Sequence, residues 1–135
     1  MTAMHLAKIA SIQRSVRRAR EEFAEAAGAF ATDLTHQDAA VMNVLRACEM
    51  SIDLAQSVVR ERKLGAATSN RDVFRLLAAA TVIPTDLAER LQRMVGFRNV
   101  AVHRYRDLDV AIIASVITRD LDDLLTFTER VARIV

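Results

Sequence analysis

The sequence predicts an all-α protein, an up-and-down bundle of four to five helices. Apolar residues recur at three- and four-residue steps along nearly the whole chain, the spacing of one helical face. Three glycines and one proline in 135 residues leave little to interrupt long helices. No segment shows the strict alternation of a half-buried strand. Long helices with short joints bury their stripes against one another as a bundle.

The first helix is marked by Leu6, Ile9, Ile12, Val16, Ala19, Phe23, Ala26 and Phe30, an amphipathic run of about 28 residues. Thr35-His36-Gln37-Asp38 then has the form of a variant capping box, with Asp in place of the usual Glu. Val41, Val44, Leu45, Cys48, Ile52, Ala55 and Val59 form the stripe of a second long helix, expected to stop near Leu64-Gly65. Ser69-Asn70 caps a short third helix through Leu76, Leu77 and Ala80. Pro84 starts a fourth, with Leu87, Leu91, Met94 and Val95 on its buried side. Asp107 is the expected cap of the last, whose stripe is Val110, Ile113, Ile117, Leu121, Leu124, Phe127 or Thr128, and Val131. With no repeat, low-complexity tract or linker, residues 1–135 read as a single helical domain.

Composition narrows the function. A hydrophobic content of 52% excludes a disordered chain. One cysteine excludes an internal disulfide, and no stretch reaches the roughly 20 apolar residues of a membrane span. Lys8, Gln13 and Arg14 interrupt any signal-peptide core. A cytoplasmic protein without membrane association is expected. No His/Cys/Asp/Glu grouping has metal-ligand spacing, and no glycine-rich phosphate loop occurs, so neither metal nor cofactor is expected. His5 and His36 read as surface or capping-region residues, and Cys48 as a buried thiol.

The net charge of +2 is unevenly spread. Residues 88–106 hold Arg90, Arg93, Arg98, Arg104 and Arg106 against Glu89 alone, a local +4, whereas residues 107–135 carry −3. Such an excess attracts a polyanion; arginines near a helix C-terminus, favoured by the macrodipole, give the same pattern. Within it lies Arg98-Asn99-Val100-Ala101-Val102-His103-Arg104-Tyr105, which sets an arginine, a histidine and the chain's one tyrosine in eight residues. A fixed positive charge beside a group titrating near neutrality suits phosphodiester cleavage without metal. On an unbroken helix, residues five apart lie roughly 140° from each other. Arg98 and His103 therefore converge only if the helix loosens near His103 or if a second protomer faces the first.

The run Met94-Val95-Gly96-Phe97-Arg98-Asn99-Val100-Ala101-Val102-His103-Arg104-Tyr105 resembles the signature block of the HepT-like toxins of the HEPN superfamily, with its Arg-x4-His-x-Tyr core. Ile52-Asp53-Leu54-Ala55, Phe74 and Leu76-Leu77 extend the similarity over about Asn43 to Tyr105. The joint Leu64–Asn70 departs from the family, holding Gly65-Ala66-Ala67-Thr68-Ser69-Asn70 where a proline and an aromatic are expected.

The resemblance implies a HEPN-like bundle, a twofold homodimer and a metal-independent endoribonuclease acting as the toxin of a toxin–antitoxin pair. Arg98 and His103 are then the catalytic pair, with RNA as substrate. His103 takes the proton of the ribose 2′-OH, and Arg98 offsets the charge growing on the phosphoryl oxygens with a bidentate geometry that lysine lacks. Asn99 is a supporting residue that holds a phosphate oxygen or orients the histidine. Arg104 and Arg106 are candidate phosphate contacts. The resemblance also implies a partner, a minimal nucleotidyltransferase antitoxin that adenylylates the tyrosine two residues after the histidine, here Tyr105. Two other readings stand beside this one: a non-catalytic helical subunit that binds a nucleotidyltransferase and contacts nucleotide or phosphate, and a plain oligomerisation module.

Overall fold

Among the described residues, four helix starts are set by a capping side chain and two stops by a left-handed turn. The computed structural model describes residues 2–134. Its helices are α1 (Ala3–Ala26), α2 (Leu34–Glu61), α3 (Asn70–Ala79), α4 (Thr85–Arg104), α5 (Val110–Ser115) and α6 (Leu121–Ala132). Short 3₁₀ turns follow α1 and α4, at Ala27–Ala29 and Tyr105–Asp107. A π turn, Val116–Asp120, joins α5 to α6 as one bent helix, so the bundle counts five rods, all helical as expected.

The starts differ from expectation in three places. Asp33, not Thr35, caps α2, accepting from the His36 N–H at 3.1 Å. Asp109, not Asp107, caps α5, because Asp107 is taken up in the 3₁₀ turn. Pro84 is extended and stands one position before the first helical residue of α4. Ser69 caps α3 as predicted, accepting from the Asp72 N–H at 3.2 Å. At α1, Thr2 and His5 form a reciprocal capping box, with His5 in the place usually held by Glu. His5 is consequently only 2% exposed, a capping residue rather than a surface one, with Nε2 2.8 Å from Glu61. One position on, Leu6, expected on the buried stripe, is 54% exposed.

Two stops are Schellman motifs. After α2, Leu64 N–H reaches Val59 and Lys63 N–H reaches Arg60. After α3, Val82 N–H reaches Leu77 and Thr81 N–H reaches Ala78. The left-handed position belongs to Lys63 (φ 55°) and Thr81 (φ 59°), not to Gly65 as the sequence suggests. A β-branched residue is strained in this region. Thr81→Gly is therefore expected to stabilise the protein by about 1 kcal/mol, seen as a raised urea midpoint at constant m-value; an unchanged or lowered midpoint would contradict the strain.

α1 and α2 form a long hairpin, α3 pairs with α4, and α6 packs on α1, α2 and α4. One continuous core results, containing Ile12, Val44, Ile52, Leu54, Phe74, Leu91, Leu121 and Phe127. The final stripe is buried from Ile113 to Val131, while Val110 is half-buried. The π turn frees a carbonyl that the α-helical ladder would have satisfied, and Arg20 of α1 donates its Nε to Ile117 O at 3.0 Å. No helix of the described residues is long and apolar enough to cross a membrane.

Candidate active site

α4 carries the candidate site, and its buried face explains where each side chain goes. Leu87, Leu91, Met94 and Val95 turn this helix against the core. Arg98 continues the same stripe, seven residues after Leu91, so its side chain leaves the helix toward α2 and is only 24% exposed. There Nε and Nη2 meet Glu49 Oε1, and Nη1 donates to Asn99 Oδ1 at 2.9 Å. The pair fixes both the rotamer and the orientation of the guanidinium. Asn99 thus contacts the arginine rather than the histidine.

His103 lies in the last turn of α4 and is exposed, with no hydrogen-bond or ion-pair partner among the described residues. The helix remains regular through it. The backbone departs from helical geometry at Arg104 (φ −139°, ψ 33°), one residue too late to rotate His103 toward Arg98. The expected convergence by loosening near His103 does not occur. In one chain the two residues diverge by roughly 140°.

Beyond the break, the chain folds back on α2. Tyr105 donates its hydroxyl to Asp38 Oδ1 at 2.6 Å. Arg106 places Nη2 3.4 Å from Asp38 Oδ2 and its guanidinium 5.6 Å from the centroid of the Tyr105 ring. Arg104 pairs at 3.4 Å with Asp107. Glu49 and Asp38 were invisible as site residues in the sequence, because they lie 49 and 67 residues from their partners.

Burial first, and then the Asp38 carboxylate, push the Tyr105 phenol up to about 12. A raised phenol favours the folded state at pH below about 10, and that contribution is lost as pH rises toward 12. Since Tyr105 is the one tyrosine and there is no tryptophan, ultraviolet titration reads it alone. The midpoint is expected well above 10, and lower in Asp38→Asn. A midpoint near 10 in a protein still helical by circular dichroism would contradict the contact. Cys48, beneath Glu49 on α2, is buried and likewise pushed up to about 12, as expected of an inert thiol.

The local charge also changes character in the fold. Arg90 pairs with Asp86 and Asp123, and Arg98, Arg104 and Arg106 pair with Glu49, Asp107 and Asp38. Most of the excess over residues 88–106 is thus offset by acids from elsewhere. The Arg104 and Arg106 contacts are long and exposed, hence weak. Beside Arg106 lies a cavity of about 350 Å³ lined in part by Val41, Met42, Leu45, Val102 and Tyr105. Met42 and Val102 are 52% and 45% exposed, an apolar surface beside the motif.

One grouping missed by spacing along the chain is Glu22, Glu25 and His36, whose donor atoms lie within 4.8 Å of one another. His36 Nδ1 is 2.7 Å from Asp33, whose carboxylate raises the histidine above its usual value. The cluster acts as an ion-pair knot between α1 and α2.

The Ribonuclease HepT-like family matches residues 12–131 of the chain. The chain is similar to the mRNA nuclease HepT of Shewanella oneidensis, 38% identical over 122 residues that cover 90% of this chain and 91% of that protein. Among solved structures it is similar to the tri-AMPylated Shewanella oneidensis HEPN toxin in complex with MNT antitoxin, with a TM-score of 0.92 and 35% identity over 98% of this chain and 99% of that one. A toxin–antitoxin complex with AMP-PNP gives the same TM-score, 34% identity and the same coverage.

Proposed function

This chain belongs to the ribonuclease HepT-like family, and we propose that it is the toxin of a toxin–antitoxin pair, a metal-independent endoribonuclease whose catalytic residues are Arg98 and His103. The observation that carries this reading is the contrast on α4. Arg98 is locked toward α2 by Glu49, while His103 stands exposed and unengaged at the helix end. A fixed charge and a free proton acceptor are the two components that the chemistry requires.

In the proposed reaction, His103 accepts the proton of a ribose 2′-OH as that oxygen attacks the adjacent phosphorus. The P–O5′ bond breaks, and the leaving oxygen takes a proton from a second histidine. The products are a 2′,3′-cyclic phosphate and a 5′-hydroxyl. Arg98, with Asn99 beside it, stabilises the phosphoryl oxygens, and Arg104 and Arg106 hold neighbouring phosphates. A single chain supplies one histidine here and turns it away from Arg98. A twofold homodimer through the apolar surface around Met42 and Val102 provides the second histidine and one shared cleft. In a strictly monomeric protein, the divergence of Arg98 and His103 would favour the non-catalytic partner subunit instead. Sedimentation together with activity distinguishes the two.

The relative with an MNT antitoxin is AMPylated, and we assign the corresponding modification here to Tyr105. An AMP ester removes the hydroxyl proton that Asp38 accepts and sets a phosphate against that carboxylate. Like-charge repulsion expels the side chain from its seat, and the added bulk and charge oppose RNA at the same basic surface. Expression alone is expected to arrest growth. Co-expression with an MNT-type nucleotidyltransferase is expected to relieve the arrest and add AMP to Tyr105 by tandem mass spectrometry. Tyr105→Phe should remain unmodified and toxic. Inactivated protein with an unmodified Tyr105 would contradict the assignment.

A further inference from the structure

Three arginines that the fold leaves without counter-charges gather in one groove outside the motif. Among the described residues, Arg14 and Arg18 of α1 and Arg46 of α2 have no carboxylate within ion-pair distance, and they line one groove with Ser11, Ser15 and Asn43. The groove holds about 410 Å³, and no acidic side chain lines it. Arg14 and Arg18 are one helical turn apart on the same face, and Arg46 faces them across the α1–α2 hairpin. Three guanidinium groups gathered without an anion repel one another; an anion that bridges them removes that cost.

Two further details make the surface a site and not only a charged face. Ser15 and Asn43 are more than nine-tenths buried, yet both reach the groove. Asn43 donates its amide to Ala39 O at 2.9 Å, which fixes the rotamer and leaves Oδ1 free of that bond. The groove therefore offers buried polar groups at its floor and exposed charges at its rim.

Its position connects it to the catalytic helix. Arg46 lies one turn before Glu49 on α2, and Glu49 holds Arg98. A strand with its scissile phosphate at Arg98 can lay successive phosphates along α2 into the groove. We infer that Arg14, Arg18 and Arg46 form a backbone-phosphate subsite that holds the RNA strand beyond the cleavage point. This rests on the ribonuclease reading for the identity of the polyanion. The planar guanidinium suits a phosphodiester better than lysine would, and contacts of this kind select for RNA backbone rather than for sequence.

The test is salt-dependent binding of a labelled single-stranded RNA to the His103→Ala protein, which separates binding from cleavage. Each phosphate contact on a single strand contributes about 0.7 to the slope of log K against log salt. Replacing Arg14, Arg18 and Arg46 by alanine is expected to reduce that slope by about 2 and to weaken binding at least tenfold at low salt. A control removing the same net charge, Arg119, Arg130 and Arg133 to alanine, is expected to change it far less. Equal losses in both triple variants, or an unchanged slope in the first, would overturn the subsite. Normal RNA binding combined with failure to co-purify with the nucleotidyltransferase would also overturn it, assigning the groove to the protein partner. If wild-type protein cleaves no RNA but the slope falls as stated, the subsite stands and the catalytic reading fails.

Discussion

Replacing His103 by alanine is expected to lower RNA cleavage by roughly 10²- to 10⁴-fold, the usual contribution of a positioned general acid or base. The protein should otherwise be unaffected, because His103 is exposed and has no side-chain partner among the described residues. Melting temperature and oligomeric state should match the wild type. Kinetics separate catalysis from mere placement: in His103→Ala the turnover rate should fall while the dissociation constant for RNA stays near that of the wild type. Arg98→Lys provides the complementary case. Lysine keeps the charge but cannot reproduce the two contacts to Glu49 and the third to Asn99. A loss of cleavage with an intact fold would show that orientation matters as well as charge. Full activity in either variant would contradict the assignment.

Phe127→Ala should have the largest effect on stability. Phe127 is fully buried at the centre of α6 and meets Phe74 of α3 edge-to-face, with ring centroids 5.5 Å apart at 78°. Removing a buried phenylalanine costs about 3–5 kcal/mol, to which the lost aromatic geometry contributes about 0.5–1.5 kcal/mol. Against a total of about 5–15 kcal/mol for a domain, that is a large fraction. Urea unfolding at a fixed protein concentration should show a strongly lowered midpoint. Val100→Ala on the exposed side of α4 should change stability by less than about 0.5 kcal/mol in the same assay. Because α3 packs against α4, activity should fall with the folded fraction and not before it.

The bundle was legible because helical periodicity is a local property. Ile12 to Ala19, Val41 to Val59 and Leu87 to Val95 face the core as their spacing demands. The termini were less legible. A left-handed stop favours glycine, but Lys63 and Thr81 occupy those positions because the Schellman hydrogen bonds and the apolar residues after them outweigh the strain. Likewise, Asp33 and Asp109 took the capping roles that Thr35 and Asp107 resembled, since a cap is decided by backbone geometry and not by residue type alone.

The motif itself was fully legible, being contiguous. Its environment was not. Asp38, Glu49 and the groove of Arg14, Arg18 and Arg46 are assembled by the α1–α2 hairpin and the packing of α4 upon it. Charge counted along the chain put the attraction for a polyanion at residues 88–106, and long-range ion pairs moved much of it elsewhere.

The most direct test of a metal-free Arg98–His103 ribonuclease is end-group analysis of labelled RNA incubated in EDTA with unmodified protein. The mechanism predicts cleavage that leaves 2′,3′-cyclic phosphate and 5′-hydroxyl ends, present in the wild type and lost in His103→Ala. Cleavage only after a divalent ion is restored, or 3′-hydroxyl ends, would contradict it.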